Sequence, residues 1–155
     1  MQTSKFRIIP LATEVAEVAR ARAREGAPDH EIITTDEAQA FPCRHCLQWA
    51  KVGERVVLFP YASIPAGRPY SESGPIFVHE AACARYGRPG EYPAEFRRHR
   101  VLRAYNETSD MIDAIVLNEH EPETVIAELF QNPAAKFLQA RSVTRGCYTF
   151  RIERA

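Results

Sequence analysis

KFLQARSVTRGCYTFRI, residues 136–152, contains two strand-like runs around a Thr144-Arg145-Gly146 turn, and this hairpin decides the fold class. In its second run Tyr148, Phe150 and Ile152 alternate and are expected to face inward, with Cys147, Thr149 and Arg151 on the other face. Working outward, Arg100–Tyr105 and Met111–Leu117 read as two more strands. Between them and the hairpin, Pro122 opens a helix with the apolar stripe Val125, Ile126, Leu129 and Phe130, stopped by Asn132-Pro133. Earlier in the chain, Lys5–Ile9 reads as a short strand. Thr13 is the expected N-cap of a helix running to Arg24, with Leu11, Val15, Val18 and Ala19 as its apolar side. A strand-like piece falls at Ile32 and Ile33. Arg55–Tyr61 and Pro75–Val78 read as strands, and the Pro-, Gly- and Ser-rich stretch 62–74 between them as a long loop. Glu80–Tyr86 is expected to form a short helical turn. The sum is an α+β fold: one domain over residues 1–155, with a mainly antiparallel sheet and two main helices.

Composition sets the bounds. The chain has 155 residues, 45% hydrophobic and 26% charged, and a domain of that size builds a core without staples. Lys+Arg and Asp+Glu number 20 each, and a net charge of +0 argues against a dedicated nucleic-acid binder, which needs many phosphate contacts. No apolar run approaches the roughly 18 residues of a membrane span. The opening residues lack the order of a secretory signal, so a cytoplasmic location with reduced thiols is expected.

Chemistry concentrates in two short pieces. Cys43 and Cys46 form a CxxC pair, and His79 and Cys83 form an HxxxC pair at a strand end. Zinc wants four N or S donors in a tetrahedron, and two such pairs can each supply one edge. The expectation is a zinc-knuckle-like CxxC…HxxxC insertion holding one zinc per chain, with Arg44 offsetting the charge of three thiolates. Such a clip would order the 62–74 loop. Two other readings stand beside it. The cysteines could be reduced, partly buried thiols, or the CxxC could be redox-active as in a thiol oxidoreductase, although no βαβ pattern leads into it. Three protein ligands plus water would instead suit a zinc hydrolase. The Pro42-Cys43-x-x-Cys46 half of a zinc deaminase signature lacks its upstream HxE and is set aside.

Other residues invite attention less strongly. Arg85, Arg88, Arg97, Arg98, Arg100 and Arg103 form a basic stretch, followed by an acidic one from Glu107 to Glu128; mutual neutralisation is the favoured reading. Tyr70 and Glu72 on the expected loop, and Arg141 and Cys147 around the last turn, are candidates for a pocket taking a small polar or cationic molecule or a protein partner.

Cys43-Arg44-x-Cys46-Leu47, Gly53-Glu54, Pro69-Tyr70-x-Glu72-x-Gly74-Pro75-Ile76-Phe77, Arg141-Ser142, Cys147-Tyr148 and Arg151-Ile152 together resemble the bacterial domain-of-unknown-function family 1203. The resemblance spans nearly the whole chain. It implies a small bacterial cytoplasmic protein and carries no activity with it.

Overall fold

The computed structural model describes residues 5–155. Eight strands form two antiparallel sheets. A five-stranded sheet has the order β1-β8-β7-β5-β6, built from β1 (Phe6–Ile9), β5 (Arg100–Tyr105), β6 (Met111–Val116), β7 (Phe137–Ser142) and β8 (Tyr148–Arg154). A three-stranded sheet has the order β2-β3-β4, from β2 (Glu31–Thr34), β3 (Arg55–Ile64) and β4 (Glu72–His79). Two helices, α1 (Thr13–Arg24) and α2 (Pro122–Leu129), complete the expected α+β architecture.

Each sheet has its own core. Val125, Ile126 and Leu129 of α2 pack with Leu102, Leu138, Phe150 and Ile152 on the larger sheet. Ala16 and Ala19 of α1 pack with Val57, Phe59, Ile76 and Val78 on the smaller one. The inward side of α1 differs from the expected one. Its buried residues are Ala16, Ala19 and Arg20, at helical i, i+3, i+4 spacing, while Val18 is 54% exposed. Nor does Thr13 cap the helix: Ala12 holds the N-cap position, and the Thr13 hydroxyl goes to His45. A tertiary hydrogen bond has taken the cap oxygen.

The last hairpin is as expected but carries a bulge. Arg141 pairs with Tyr148 and Ala140 with Phe150, so Thr149 is an extra residue. The inward alternation therefore breaks, with Tyr148 in the smaller sheet's core and Phe150 and Ile152 in the larger one's.

The long loop expected at 62–74 is shorter, spanning 65–71, because residues 62–64 and 72–74 belong to β3 and β4. β3 and β4 pair from Val56↔His79 to Ile64↔Glu72, with Pro60 facing Pro75. Proline lacks the N–H a central strand needs, yet β4 is an edge, and β2 covers β3 only from Arg55 to Leu58. Both prolines thus sit where outward ladder bonds are not required. The irregular segment lies elsewhere, from Glu80 to His99. It holds a single 3-10 turn, Ala94–Phe96, and no helical turn at Glu80–Tyr86. Gly87, Pro89, Gly90 and Pro93 discourage regular structure there. Side-chain and backbone bonds hold it instead: Arg85 donates to the Pro10 and Leu11 carbonyls, and the Ile8 N–H to Pro89 O.

One buried cation joins the two sheets. Arg141 on β7 is 1% exposed; it donates to Gln139 Oε1, Gly146 O, Ser63 Oγ and, at 2.6 Å, to Glu72 Oε1 at the start of β4. Every N–H of its guanidinium is engaged. Arg141→Met keeps the bulk but strands these acceptors, and should lower unfolding stability by about 3 kcal/mol or more in urea titration. A loss below about 1 kcal/mol would mean that these groups find water as a partner.

Candidate metal centre

The CxxC segment folds as a tight turn at the tip of a miniature hairpin. Pro42 bridges Trp49 in antiparallel fashion, Cys43 bridges Phe77 of β4 in parallel, and the Leu47 N–H closes the turn on Cys43 O at 2.9 Å. Leu47 takes the left-handed conformation at φ 57° and is 1% exposed. That conformation costs an L-residue about 1–2 kcal/mol, which burying a leucine side chain, at about 1.5–3 kcal/mol, offsets. The knuckle thus docks against the end of β4, which carries His79, while Cys83 comes from the irregular segment.

The four ligand atoms of Cys43, Cys46, His79 and Cys83 all lie within 4.8 Å of one another. Cys43 Sγ is 3.9 Å from Cys83 Sγ, and Cys46 Sγ is 3.5 Å from His79 Nδ1. Bond lengths of zinc to sulfur and nitrogen at tetrahedral angles require about 3.8 Å between sulfurs and about 3.6 Å between sulfur and nitrogen. The residues fit a metal ion.

Around them lies a shell of donors. The His79 N–H points to Cys43 Sγ at 3.4 Å, and His79 Nε2 stands 3.4 Å from Glu54 Oε1, so a carboxylate orients the ring from behind. Cys83 receives Arg20 Nη2 at 3.4 Å and has His45 Nδ1 at 3.2 Å, while Arg20 Nε also donates to His79 O. Burial pushes His45 down, so it is neutral. A neutral ring that accepts from the Thr13 hydroxyl at Nε2 has its Nδ1–H to offer a Cys83 thiolate. Arg44, expected to balance the thiolates, uses its guanidinium differently: it donates to Pro42 O and Tyr148 O and ties the knuckle to β8. Arg20 is the arginine hydrogen-bonded to a cluster sulfur. It and His45 escaped the sequence reading, although His45 lies inside the CxxC and Arg20 shares a helical face with Ala16.

The electrostatics follow from crowding. Without a cation, three thiolates this close repel, and the cluster shares its protons. Hydrogen bonds from Cys46 and Cys83 hold Cys43 far below the usual thiol range, while the same contacts push Cys46 up. Hydrogen bonds to Cys43 and Cys83 raise the His79 imidazole to about 10.

Three of the four residues, Cys46, His79 and Cys83, also border a cleft of about 710 Å³ between the knuckle and the irregular segment, walled further by Trp49, Tyr86 and Tyr92. The other candidates lie apart from it. His79 and Glu72 stand at opposite ends of β4, about 23 Å apart along the strand at 3.3 Å per residue. Glu72 and Cys147 line a smaller cavity with Arg141 behind it, while Tyr70 is 43% exposed and outside its lining. In the basic stretch, Arg97 pairs with Glu121 and Glu123 at 2.6 and 2.8 Å, the neutralisation expected of it.

Because His79 keeps its proton until about pH 10 in the metal-free cluster, ion binding at neutral pH must displace it. Zinc titrated into stripped protein in weak buffer at pH 7 should acidify the solution, and His79→Ala should release fewer protons. Without metal, the stability His79 contributes is complete below its unfolded pKa and fades as the pH rises through about 10. Equal proton release by both proteins would exclude His79 as a ligand.

A family model described as "Protein of unknown function (DUF1203)" matches residues 40–154. The match takes in all four cluster residues, with His45, Glu54, Glu72 and Arg141, and begins after α1, which carries Thr13 and Arg20. No curated protein and no solved structure matches the chain. With the matched region covering most of its length and the whole cluster, the chain belongs to the DUF1203 family.

Proposed function

We propose that this protein is a zinc-binding domain in which a closed Cys3His site, holding one ion per chain, staples the irregular Glu80–His99 segment to the CxxC knuckle. The cleft between them then serves as a binding surface for a small molecule or a protein partner. The observation that carries this reading is the spacing of Cys43, Cys46, His79 and Cys83, which agrees with tetrahedral zinc coordination. Three thiolates and an imidazole form a soft donor set suited to zinc. Long segments without regular structure are commonly functional or pinned. Here the pin is Cys83, and the segment it would order is Glu80–His99 rather than Pro65–Ser71 at the far end of the hairpin.

A reducing compartment such as the cytoplasm suits this reading, because all four cysteines are free thiols and three of them must bind as thiolates. Among the described residues no helix is long and apolar enough to cross a membrane.

The exposure of Cys46, His79 and Cys83 to the cleft favours a second reading. In it the protein is an enzyme, a hydrolase with water in one metal position or an oxidoreductase using the CxxC thiols. The redox form lacks a helix of its own: the pair sits in a turn between bridged residues, and no helix begins at either cysteine.

Protein purified without chelator should carry about one zinc per chain, with X-ray absorption reporting three sulfurs and one nitrogen. Stripping the ion should speed hydrogen exchange across 80–99 while β5, β7 and β8 stay protected, since the larger sheet has its own core. Metal-free protein with a Cys43–Cys46 disulfide would overturn the proposal in favour of redox chemistry. Oxygen in place of a protein ligand would favour the hydrolase.

A further inference from the structure

The smaller cavity, about 240 Å³, opens between the β3–β4 hairpin and the turn joining β7 to β8. Tyr61 and Ser63 of β3, residues 72–76 of β4 and residues 145–148 form its walls. Tyr148 is 8% exposed, yet its hydroxyl has no hydrogen-bond partner among the described residues. That oxygen is not sealed from solvent, so it is open to a ligand. Tyr61, with its ring 5.5 Å from that of Tyr148, also has a hydroxyl without a partner among the described residues. Burial pushes both phenols up, so each keeps its proton at neutral pH and is a donor. Two residues with donor hydroxyls thus line this cavity, and neither hydroxyl is hydrogen-bonded among the described residues.

Charge around the cavity is lopsided. Glu72 is its one carboxylate and is committed to Arg141 at 2.6 Å and Arg103 at 3.6 Å. Arg145, on the wall, has no acidic partner among the described residues. Buried Arg44 donates to the Tyr148 and Pro42 carbonyls, lies over the Phe77 ring and has no acidic partner among the described residues. With Arg141 behind the wall, the guanidinium groups outnumber the carboxylate. This reverses the polarity expected of a site built on Glu72: its charge is spent inside the fold, and the free charge is cationic.

We propose that this cavity binds a small molecule through an oxyanion, a carboxylate or a phosphate group. Arg145 is its ion-pair partner, Tyr148 and Tyr61 donate hydrogen bonds to it, and the Cys147 thiol stands at its edge. The volume lies below the usual range for drug-sized ligands, so the occupant is a compact metabolite. The site is separate from the metal cluster and does not depend on zinc being bound there.

Cys147 provides the readout. Iodoacetate and iodoacetamide alkylate a thiolate by the same step: the S–C bond forms, iodide leaves, and the thiol proton passes to water. They differ in that only iodoacetate carries a carboxylate. Peptide mass spectrometry follows Cys147 separately from Cys43, Cys46 and Cys83, so a failed metal site changes labelling of those three and leaves this ratio interpretable. The iodoacetate-to-iodoacetamide rate ratio at Cys147 should exceed that of the urea-unfolded chain by about tenfold or more, as a cationic cavity concentrates anions. Arg145→Ala should return it to the unfolded value. Tyr148→Phe should lower it part-way with an unchanged melting temperature. Propionate and inorganic phosphate should each slow the labelling, and the stronger competitor identifies the oxyanion. A ratio at or below the unfolded reference overturns the proposal, as does a raised ratio indifferent to both variants. If Cys147 is shielded from both reagents, NMR titration of the Gly146 and Tyr148 amides with the same two anions decides: a saturable shift supports the site, and its absence overturns it.

Discussion

Three thiol sulfurs and an imidazole nitrogen within 4.8 Å of one another form an arrangement that the chain can keep only with protons or a cation between them. Much of this end of the molecule is arranged around that constraint. The knuckle meets β4 where Cys43 bridges Phe77, its left-handed Leu47 packs into the larger sheet's core, Arg20 reaches out of α1 to Cys83, and Glu54 orients His79 from behind. A hydrogen-bond donor on each of two sulfurs lowers the electron density that a bound metal would have to accommodate. With three thiolates and a neutral imidazole, a dication leaves one excess negative charge, and Arg20 stands where that charge would fall.

The second organising element is Arg141. It is a buried cation whose partners come from β3, β4, β7 and the last turn, so it sets how the two sheets sit against each other. Buried ion pairs are weak net stabilisers but tolerate few alternative arrangements, because any misplacement leaves a charge in the dry interior. Glu72, met in the sequence as a candidate binding carboxylate, is better understood as the counterion of this joint. The chemistry of the adjacent cavity passes to the residues around it.

Much of this was legible in the sequence. Strand and helix positions followed from period and punctuation, and α1 was bounded at Thr13 and Arg24 by its flanking signals. The grouping of Cys43, Cys46, His79 and Cys83 followed from spacing alone, because residues that can share a metal ion recur at short, regular intervals. What stayed hidden depended on tertiary partners. Thr13 left its cap role for His45, which lies 32 residues away. Residues 62–64 and 72–74 read as loop because they flank Pro65, Gly67 and Pro69, and only the pairing of β3 with β4 makes them strand. The bulge at Thr149 moved Tyr148 into a different core from Phe150, and no local signal marks where a strand gains a residue.

The pairing of β1 with β8, Phe6 opposite Arg154, joins nearly the ends of the described chain. During synthesis that ladder must wait for Arg154, whereas Cys43, Cys46, His79 and Cys83 have all been made once Cys83 is added. The centre can therefore assemble on a chain whose larger sheet does not yet exist, as a local event preceding a slow, non-local one. In the interval β1 is a strand without a neighbour. A nascent chain holding its ion would have the smaller sheet, α1 and the knuckle locked together, restricting where that unpaired edge can wander before its partner arrives.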